Sequence, residues 1–255
     1  MKDSSKYYLT DHYSWVKTET GTFMCAHETA DGLVYSVLSQ DKHTLLEGNA
    51  SYMEFKKNDK LVDSPSAAYI YRIQCPNLWD CIGTNIIRQV IRASQAKNMY
   101  RTFSEYVGER VILTGGIRYH LFPSPQKVLE TPDSTYQRMG MSFKKDVLKN
   151  AARFILEHAD MLEKIQAPDL LDELMKIHRV GSWTARATVA DYTNELATYP
   201  YGDAAIRFYA REALPYHEWP KEEVAFIQEL HKVAGVENIS SSIATLIMVH
   251  EIKRG

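Results

Sequence analysis

Residues 174–192, LMKIHRVGSWTARATVADY, have the pattern of two helices joined by a short turn. Leu174 and Ile177 occupy one face of the first segment, because residues three positions apart meet on a helix surface. Val180 is the apolar plug of the turn. We predict that Gly181 supplies a backbone conformation that costs other residues about 1–2 kcal/mol.

The predicted start of the second helix is a candidate anion site. Ser182 is placed to cap a helix that begins near Trp183. The first N–H groups of a helix have no partner inside it, and together with the positive end of the helix dipole they bind phosphate groups. The same turn could simply connect two helices, so the turn alone leaves both interpretations open.

Composition and charge exclude a general attraction to nucleic acid. The chain has 255 residues, of which 45% are hydrophobic and 24% charged, and its formal net charge is −2. These values are typical of a globular protein. Binding to a polyanion would therefore have to come from a local patch or from backbone dipoles and not from the field of the whole molecule.

The three cysteines, Cys25, Cys75 and Cys81, are an odd number without a paired motif. They predict reduced thiols and no zinc or iron–sulfur framework. No apolar run reaches the length of a membrane-spanning helix, and the first ten residues lack the pattern of a signal peptide. These observations predict a soluble cytoplasmic protein.

The N-terminal part of the sequence has the pattern of short β-strands. Short mixed runs separated by turns predict an antiparallel meander of about three to five strands. The runs are GTFMCAHE (21–28), LVYSVLSQ (33–40), HTLLEGN (43–49) and SYMEFKKN (51–58). The run AAYIYRIQ (67–74) extends this meander or leads into the next region.

From Asn77 onward the apolar period becomes helical. Residues 77–108 place one apolar stripe on Leu78, Ile82, Ile86, Val90 and Ala93. Residues 142–162 place another on Phe143, Val147, Leu148, Ala151 and Ile155. We predict an α+β fold that is mainly α, with a small antiparallel β layer in an N-terminal region (1–74) and about eight to nine helices in a helical region (75–255).

A second stretch, residues 199–214 or YPYGDAAIRFYAREAL, places Asp203 twenty positions after Trp183. Together with 174–192 it resembles the helix-hairpin-helix and Gly/Pro-Asp segments of the helix-hairpin-helix DNA glycosylase superfamily. Two upstream segments, 84–98 and 122–154, are similar to further motifs of its 3-methyladenine DNA glycosylase II branch. The four segments occur in the family's order and cover about residues 74–252.

The resemblance implies a helix-hairpin-helix core and a DNA N-glycosylase that acts on a damaged base flipped out of double-stranded DNA. Asp203 would be the catalytic carboxylate, with helix capping as its alternative role. The base pocket would contain Trp183, Tyr201 and His250. The DNA-binding residues would be His178, Arg179, Val180, Gly181, Ser182, Thr184, Gln89 and Val90.

The resemblance also has consequences for cofactors and partners. It implies no cofactor, no metal except a monovalent cation on hairpin backbone carbonyls, no protein partner and a monomer. Bifunctional members have a nucleophilic lysine where this chain has Trp183, so lyase activity is not expected. Arg88, Arg92 and Lys97 are candidates for phosphate contacts, with a solvated helix face as the alternative.

Two departures from the family keep other interpretations open. Arg179 stands where the family usually has the first glycine of the hairpin, and Val249 stands near a position that is aromatic in some members. A non-catalytic module that binds damaged DNA is therefore the alternative function. A helical protein with an unrelated small-molecule role would leave the four ordered segments as coincidence.

Overall fold

The computed structural model describes residues 6–19, 21–29, 32–38, 50–62, 67–162 and 164–254. The strands in this part of the chain are β1 (Lys6–Leu9), β2 (Val16–Lys17), β3 (Phe23–Thr29), β4 (Gly32–Leu38), β5 (Tyr52–Lys56), β6 (Tyr69–Ile73), β7 (Arg110–Leu113) and β8 (Ile117–His120).

The helices of the described residues all follow β6. They are α1 (Leu78–Arg88), α2 (Ala93–Val107), α3 (Pro125–Glu130), α4 (Asp133–Arg138), α5 (Ser142–Glu157), α6 (Ala159–Leu162), α7 (Ala167–Met175), α8 (Ser182–Thr193), α9 (Ala204–Ala213), α10 (Glu223–Ala234) and α11 (Ile239–Arg254). This order confirms the predicted α+β class, with small sheets before a mainly helical core. No described helix is by itself long and apolar enough to cross a bilayer, although the bent pair Glu223–Ala234 and Val236–Lys253 satisfies length and composition limits when taken together.

The strands form two three-stranded sheets and one hairpin. β2, β3 and β4 pair antiparallel, as predicted for a meander, whereas β1 pairs in parallel with β6, which pairs antiparallel with β5. β1 precedes the runs from which the meander was predicted, so neither this strand nor its parallel pairing was predicted. The run at 43–49 lies outside the described residues.

The β7–β8 hairpin was not predicted. Its turn contains Gly115 and Gly116, both in the left-handed region, at φ 79° and 77°. Two adjacent glycines between short alternating runs are a recognisable hairpin signal, but four-residue strands have too few residues to establish a period.

The chain folds into two compact units. The first contains the described parts of Met1–Asp11, Ser51–Gln74 and Asn194–Gly255, and the second contains those of His12–Ala50 and Cys75–Thr193. Each unit takes residues from both sides of position 74. The β-rich region 1–74 and the helical region 75–255 therefore differ in secondary-structure content, and they do not coincide with the two compact units.

In the first unit, α11 lies against β1, β5, β6 and α9. Asn58, just after β5, fixes this packing: its Nδ2 donates to the carbonyl of Ala234 at 3.0 Å and to Oγ of Ser242 at 2.8 Å, and its backbone N–H donates to Oγ1 of Thr245 at 2.9 Å. A buried amide with these partners sets the position of α11 against the strand.

In the second unit, α1, α2, α5, α7 and α8 contribute to one apolar core. Ile82 and Ile86 of α1 are fully buried there, as are Leu148 of α5 and Val189 of α8. The long helix predicted over 77–108 is divided, because α1 ends at Arg88 and α2 begins at Ala93.

The break between α1 and α2 corrects the predicted apolar stripe. Val90 has φ 62° and is fully exposed, and Ala93 is exposed as well. Nζ of Lys144 donates to the carbonyl of Gln89 at 2.7 Å, which satisfies an acceptor at the end of α1. The apolar periodicity predicted one continuous helix, because periodicity contains no information about a donor as distant in the sequence as Lys144.

On α5 the predicted inward face is rotated by one residue at its start. Phe143 is 56% exposed, although it was predicted to face inward, and Lys144 is buried instead. The downstream residues Val147, Leu148 and Ala151 are buried as predicted. Lys144 donates to the carbonyl of Gln89 at the end of α1, and this contact explains why Lys144 is buried in place of Phe143.

Candidate functional site

The turn between α7 and α8 is exposed on one side and anchored on the other. Val180 is 4% exposed and packs in the core of the second unit, in agreement with its predicted role as a plug. His178, Arg179, Gly181 and Ser182 are exposed. The turn therefore presents a polar, solvent-facing edge that begins at the N-terminus of α8.

The left-handed conformation in this turn belongs to Arg179 and not to Gly181. Arg179 has φ 68°, whereas Gly181 is not among the residues with positive φ. The prediction that Gly181 supplies the unusual backbone conformation of the turn is therefore wrong. A Cβ on Gly181 would meet no atom within 4 Å, so the bare backbone here faces open space. Ser182 is the first residue of α8 and not the residue before it, and its Oγ accepts from Nε of Arg186 at 3.2 Å.

Replacing Arg179 with glycine is expected to raise the free energy of unfolding by about 1 kcal/mol, because glycine adopts a left-handed φ without the steric cost of a Cβ. Urea denaturation measures the change. The matched control is Arg186→Gly within α8, where φ is helical and we expect a loss of about 1 kcal/mol. Equal losses for the two variants would contradict the assignment of strain to Arg179.

Gln89 connects the end of α1 to this turn. Its Nε2 donates to Oγ1 of Thr184 at 2.8 Å and to the carbonyl of Arg179 at 3.3 Å. Thr184 is 2% exposed, so its side chain holds Gln89 and does not reach the surface. Val90, the next residue, has its whole side chain in solvent. Val90 and the exposed edge of the turn (178, 179, 181 and 182) form what we call the hairpin surface.

Trp183 lies half-buried in the first turn of α8, and the guanidinium of Arg88 is 5.7 Å from the centre of its ring. The same guanidinium is 3.5 Å from the buried carboxylate of Asp191. Arg88 is thus held inside its own unit, whereas Arg92 and Lys97 are exposed. The phosphate-contact interpretation is therefore better suited to Arg92 and Lys97 than to Arg88.

Burial lowers the pKa of Lys144, the donor to Gln89, to about 8. The unfolded chain then binds more protons than the folded chain between about pH 8 and the ordinary lysine value of 10.5. We expect stability to rise with pH across this window, because the folded state favours the neutral amine. Urea denaturation of Lys144→Met should lack this rise, and the same pH slope in both proteins would contradict it.

In the first unit, Asp203 is the N-cap of α9. Its Oδ1 accepts from the backbone N–H of Ile206 at 2.9 Å, and its side chain is partly exposed. The capping role that the sequence left open is therefore present. Tyr201, two residues earlier, is half-buried, with its ring 5.8 Å from that of His231.

His250 on α11 is 7% exposed and contacts Phe208, Tyr209 and Glu212 on α9. Its Nδ1 is 2.5 Å from Oε2 of Glu212, and its ring stacks on Tyr209 with 4.0 Å between ring centres. Sequence reasoning placed His250 in a pocket but missed Tyr209 and Glu212. Their positions in the sequence, six and nine residues after Asp203, do not indicate that they contact His250. These contacts arise because α9 packs on α11.

The comparisons with known proteins agree with this architecture. No protein-family model matches the sequence, and no curated protein matches it. Solved structures do match. A 3-methyladenine DNA glycosylase from Archaeoglobus fulgidus is 15% identical with a TM-score of 0.68, covering 94% of this chain and 90% of that one.

Two further solved structures are similar to this chain in fold. An 8-oxoguanine glycosylase/lyase from Clostridium acetobutylicum, in complex with double-stranded DNA, is 15% identical with a TM-score of 0.62 and covers 94% of this chain and 89% of its own. A 3-methyladenine DNA glycosylase from Schizosaccharomyces pombe, in complex with abasic DNA, is 16% identical with a TM-score of 0.51 and covers 67% and 78%. The chain has the fold of the helix-hairpin-helix DNA glycosylases.

Proposed function

We propose that this protein is a monofunctional DNA glycosylase that hydrolyses the N-glycosidic bond of an alkylated or otherwise damaged base flipped out of double-stranded DNA. The observation that supports it best, beyond the shared fold, is Val90. A β-branched residue with φ 62° and a fully exposed side chain is strained and apolar at the surface, and strain of this kind is concentrated at functional positions.

We propose that the hairpin surface binds the DNA backbone. The first N–H groups of α8 supply donors at the positive end of the helix dipole, which suits a phosphate. The open space at Gly181 allows a phosphate to approach the main chain. His178, Arg179 and Ser182 are exposed beside it, and the buried Val180 and Thr184 support the turn from within. A chain with net charge −2 can bind DNA in this way.

Val90 would act as the wedge. Extruding a nucleotide costs a few kcal/mol of stacking and pairing, and an apolar side chain that enters the gap compensates part of this cost. Gln89 holds the wedge in place through its bonds to Thr184 and Arg179. The strained backbone at Val90 projects the side chain away from the core.

Replacing Val90 with glycine is expected to change stability and activity in opposite directions. Glycine relieves the left-handed strain, so the free energy of unfolding should rise by about 1 kcal/mol. Losing the wedge should lower base excision about tenfold, which corresponds to roughly 1.4 kcal/mol. Urea denaturation and single-turnover excision measure the two effects.

The chain offers a matched control in Val224 of α10, which is 68% exposed. Val224→Gly should destabilise the protein by about 0.5–1 kcal/mol, because glycine weakens a helix. It should leave excision unchanged. If Val90→Gly keeps full excision activity, Val90 is not the wedge.

We propose that Asp203 is the catalytic carboxylate. Breaking an N-glycosidic bond makes a sugar with oxocarbenium character, and a carboxylate about 4 Å away attracts this charge by about 4 kcal/mol at an effective dielectric of 20. The carboxylate can also orient the attacking water. Oδ1 is used in capping α9, and the carboxylate is partly exposed.

Base selection is assigned to aromatic side chains. An alkylated purine has positive charge, which an aromatic face attracts by cation–π interaction. Tyr201 and His250, the latter stacked on Tyr209, lie in the unit that contains Asp203, and Trp183 lies in the unit that contains the hairpin surface. Trp183 has no amine, so no Schiff base can form at that position and the sugar–phosphate strand should stay intact.

Duplex oligonucleotides that each contain one damaged base test the proposal. After incubation with the protein, the strand should break at the lesion only when hot alkali is added, and borohydride should trap no covalent complex. Breakage without alkali, or borohydride trapping, would show a lyase. Tight binding to every damaged duplex without an abasic site in any of them would favour the non-catalytic binding module.

A further inference from the structure

A cluster of three metal-ligand side chains, none of which has a role in the proposal above, is buried in the second unit. His12 lies in the turn after β1, Cys75 in the loop after β6 and Cys81 in α1. Their ligand atoms all lie within 4.8 Å of one another, and the three residues are 6%, 1% and 0% exposed. We propose that these residues form a binding site for one thiophilic divalent cation of the zinc type.

The geometry of the cluster suits such an ion. Zinc binds thiolate sulfur at about 2.3 Å and imidazole nitrogen at about 2.0–2.1 Å, so two ligand atoms of a tetrahedral site lie roughly 3.6–3.8 Å apart. The ligand atoms of the cluster lie within 4.8 Å of one another, so this spacing requires a contraction of roughly 1 Å at most. Two cysteines and one histidine are also a ligand set that zinc uses with three protein ligands.

The histidine has one ring nitrogen that a metal could use. Its Nε2 is buried and has no hydrogen-bond partner among the described residues. Its Nδ1 is 2.8 Å from Oγ of Ser14 and accepts from the backbone N–H of Ser14 at 3.2 Å. A metal at Nε2 would move the ring proton to Nδ1, which would then donate to Oγ of Ser14 and no longer accept from this N–H. Ligating histidines typically donate their second ring N–H in this manner, which fixes the tautomer and the ring orientation.

The charges of the surroundings also favour a cation. Two thiolates and a divalent ion sum to zero with a neutral imidazole, which suits a buried site. The buried carboxylates of Asp80 and Asp191 both act electrostatically on His12. Asp80 accepts from Tyr100 at 3.0 Å, and Asp191 accepts from Asn85 at 2.9 Å. Asp191 also lies 3.5 Å from the guanidinium of Arg88, which compensates part of its charge, so Asp80 is the carboxylate without a cationic partner among these contacts.

The site would attach the turn at His12 and the loop at Cys75 to the first helix of the core. No sequence motif indicates this site, because the ligands come from three separate elements. The absence of a zinc or iron–sulfur framework was predicted because the three cysteines form no paired cysteine motif in the sequence. Cys25, the third cysteine, is 1% exposed and lies outside the cluster, so it is a matched control.

Cobalt titration of the reduced, chelator-treated full chain tests the site. We expect one Co²⁺ per chain, with sulfur-to-cobalt charge-transfer absorption and strong visible bands of tetrahedral cobalt, both of which Zn²⁺ abolishes. Cys25→Ser should keep these bands. Cys75→Ser and Cys81→Ser should weaken cobalt binding by more than about 100-fold, since losing a ligand costs more than losing an outer-shell partner.

The wild-type chain alone keeps the proposal falsifiable if a cysteine variant does not fold. Zn²⁺ should add one ion to its native mass and raise its Tm. Folded, reduced wild-type protein that takes up neither Co²⁺ nor Zn²⁺ would overturn the site. Loss of the bands in Cys25→Ser would also overturn it, as would a Cys75–Cys81 disulfide in protein purified without added oxidant.

Discussion

Asp203→Asn is expected to lower the rate of base excision by about a thousandfold, because the neutral amide removes roughly 4 kcal/mol of attraction for the oxocarbenium-like sugar. The folded state should be almost unaffected. Asparagine caps a helix about as well as aspartate, and Oδ1 can still accept from the N–H of Ile206. Single-turnover excision under excess protein measures the rate.

The stability of the variant separates catalysis from capping. Asp203→Ala removes the cap as well, so its free energy of unfolding should fall by about 1 kcal/mol while its excision rate resembles that of Asp203→Asn. Binding to a duplex with an abasic-site analogue should survive in both variants. An Asp203→Asn protein that excises at the wild-type rate would leave Asp203 with its capping role alone.

The largest loss of stability is expected for Arg72→Met. Arg72 on β6 is 1% exposed and pairs with the carboxylate of Asp11 through Nε and Nη2, at 3.0 Å each. Its Nη1 donates to Oδ1 of Asn194 at 2.7 Å. Removing one partner of a buried pair typically costs about 3–5 kcal/mol, because the other charge stays buried without compensation.

Asp11 is 16% exposed, so we expect the lower end of that range. Urea denaturation measures it. Adding Asp11→Leu to Arg72→Met should recover part of the loss, since two apolar partners leave no buried charge. The control is Lys127→Met, which removes a surface pair with Glu109 and should cost about 0–1 kcal/mol. Similar losses for Arg72→Met and Lys127→Met would contradict the importance of burial.

Helix type and order were predictable from the sequence where the residues decide them locally. Ser124 and Pro125 start α3 as expected, with Oγ of Ser124 accepting from the N–H of Lys127 at 3.4 Å. The position of the turn before α8 and the burial of Val180 were predictable for the same reason, whereas the residue that adopts the left-handed conformation was not. The fold class followed from these local signals and from the order of the four motifs.

Features that depend on distant partners were not predictable. The end of α1 is set by Lys144, which lies 55 residues after Gln89 in the sequence, and the parallel pairing of β1 requires β6. The pairing of His250 with Glu212 likewise depends on α9 packing against α11. Apolar periodicity describes one element at a time, so it gave no information about any of these three.

The most direct test of the account follows the base itself. Duplex DNA alkylated with a methyl group that contains a radioactive label is incubated with excess protein, and the label that leaves the DNA is identified. A monofunctional glycosylase is expected to release labelled free methylpurine in a single turnover while both strands stay intact. Label that remains entirely in DNA bound by folded protein would contradict the claim that this chain excises alkylated bases.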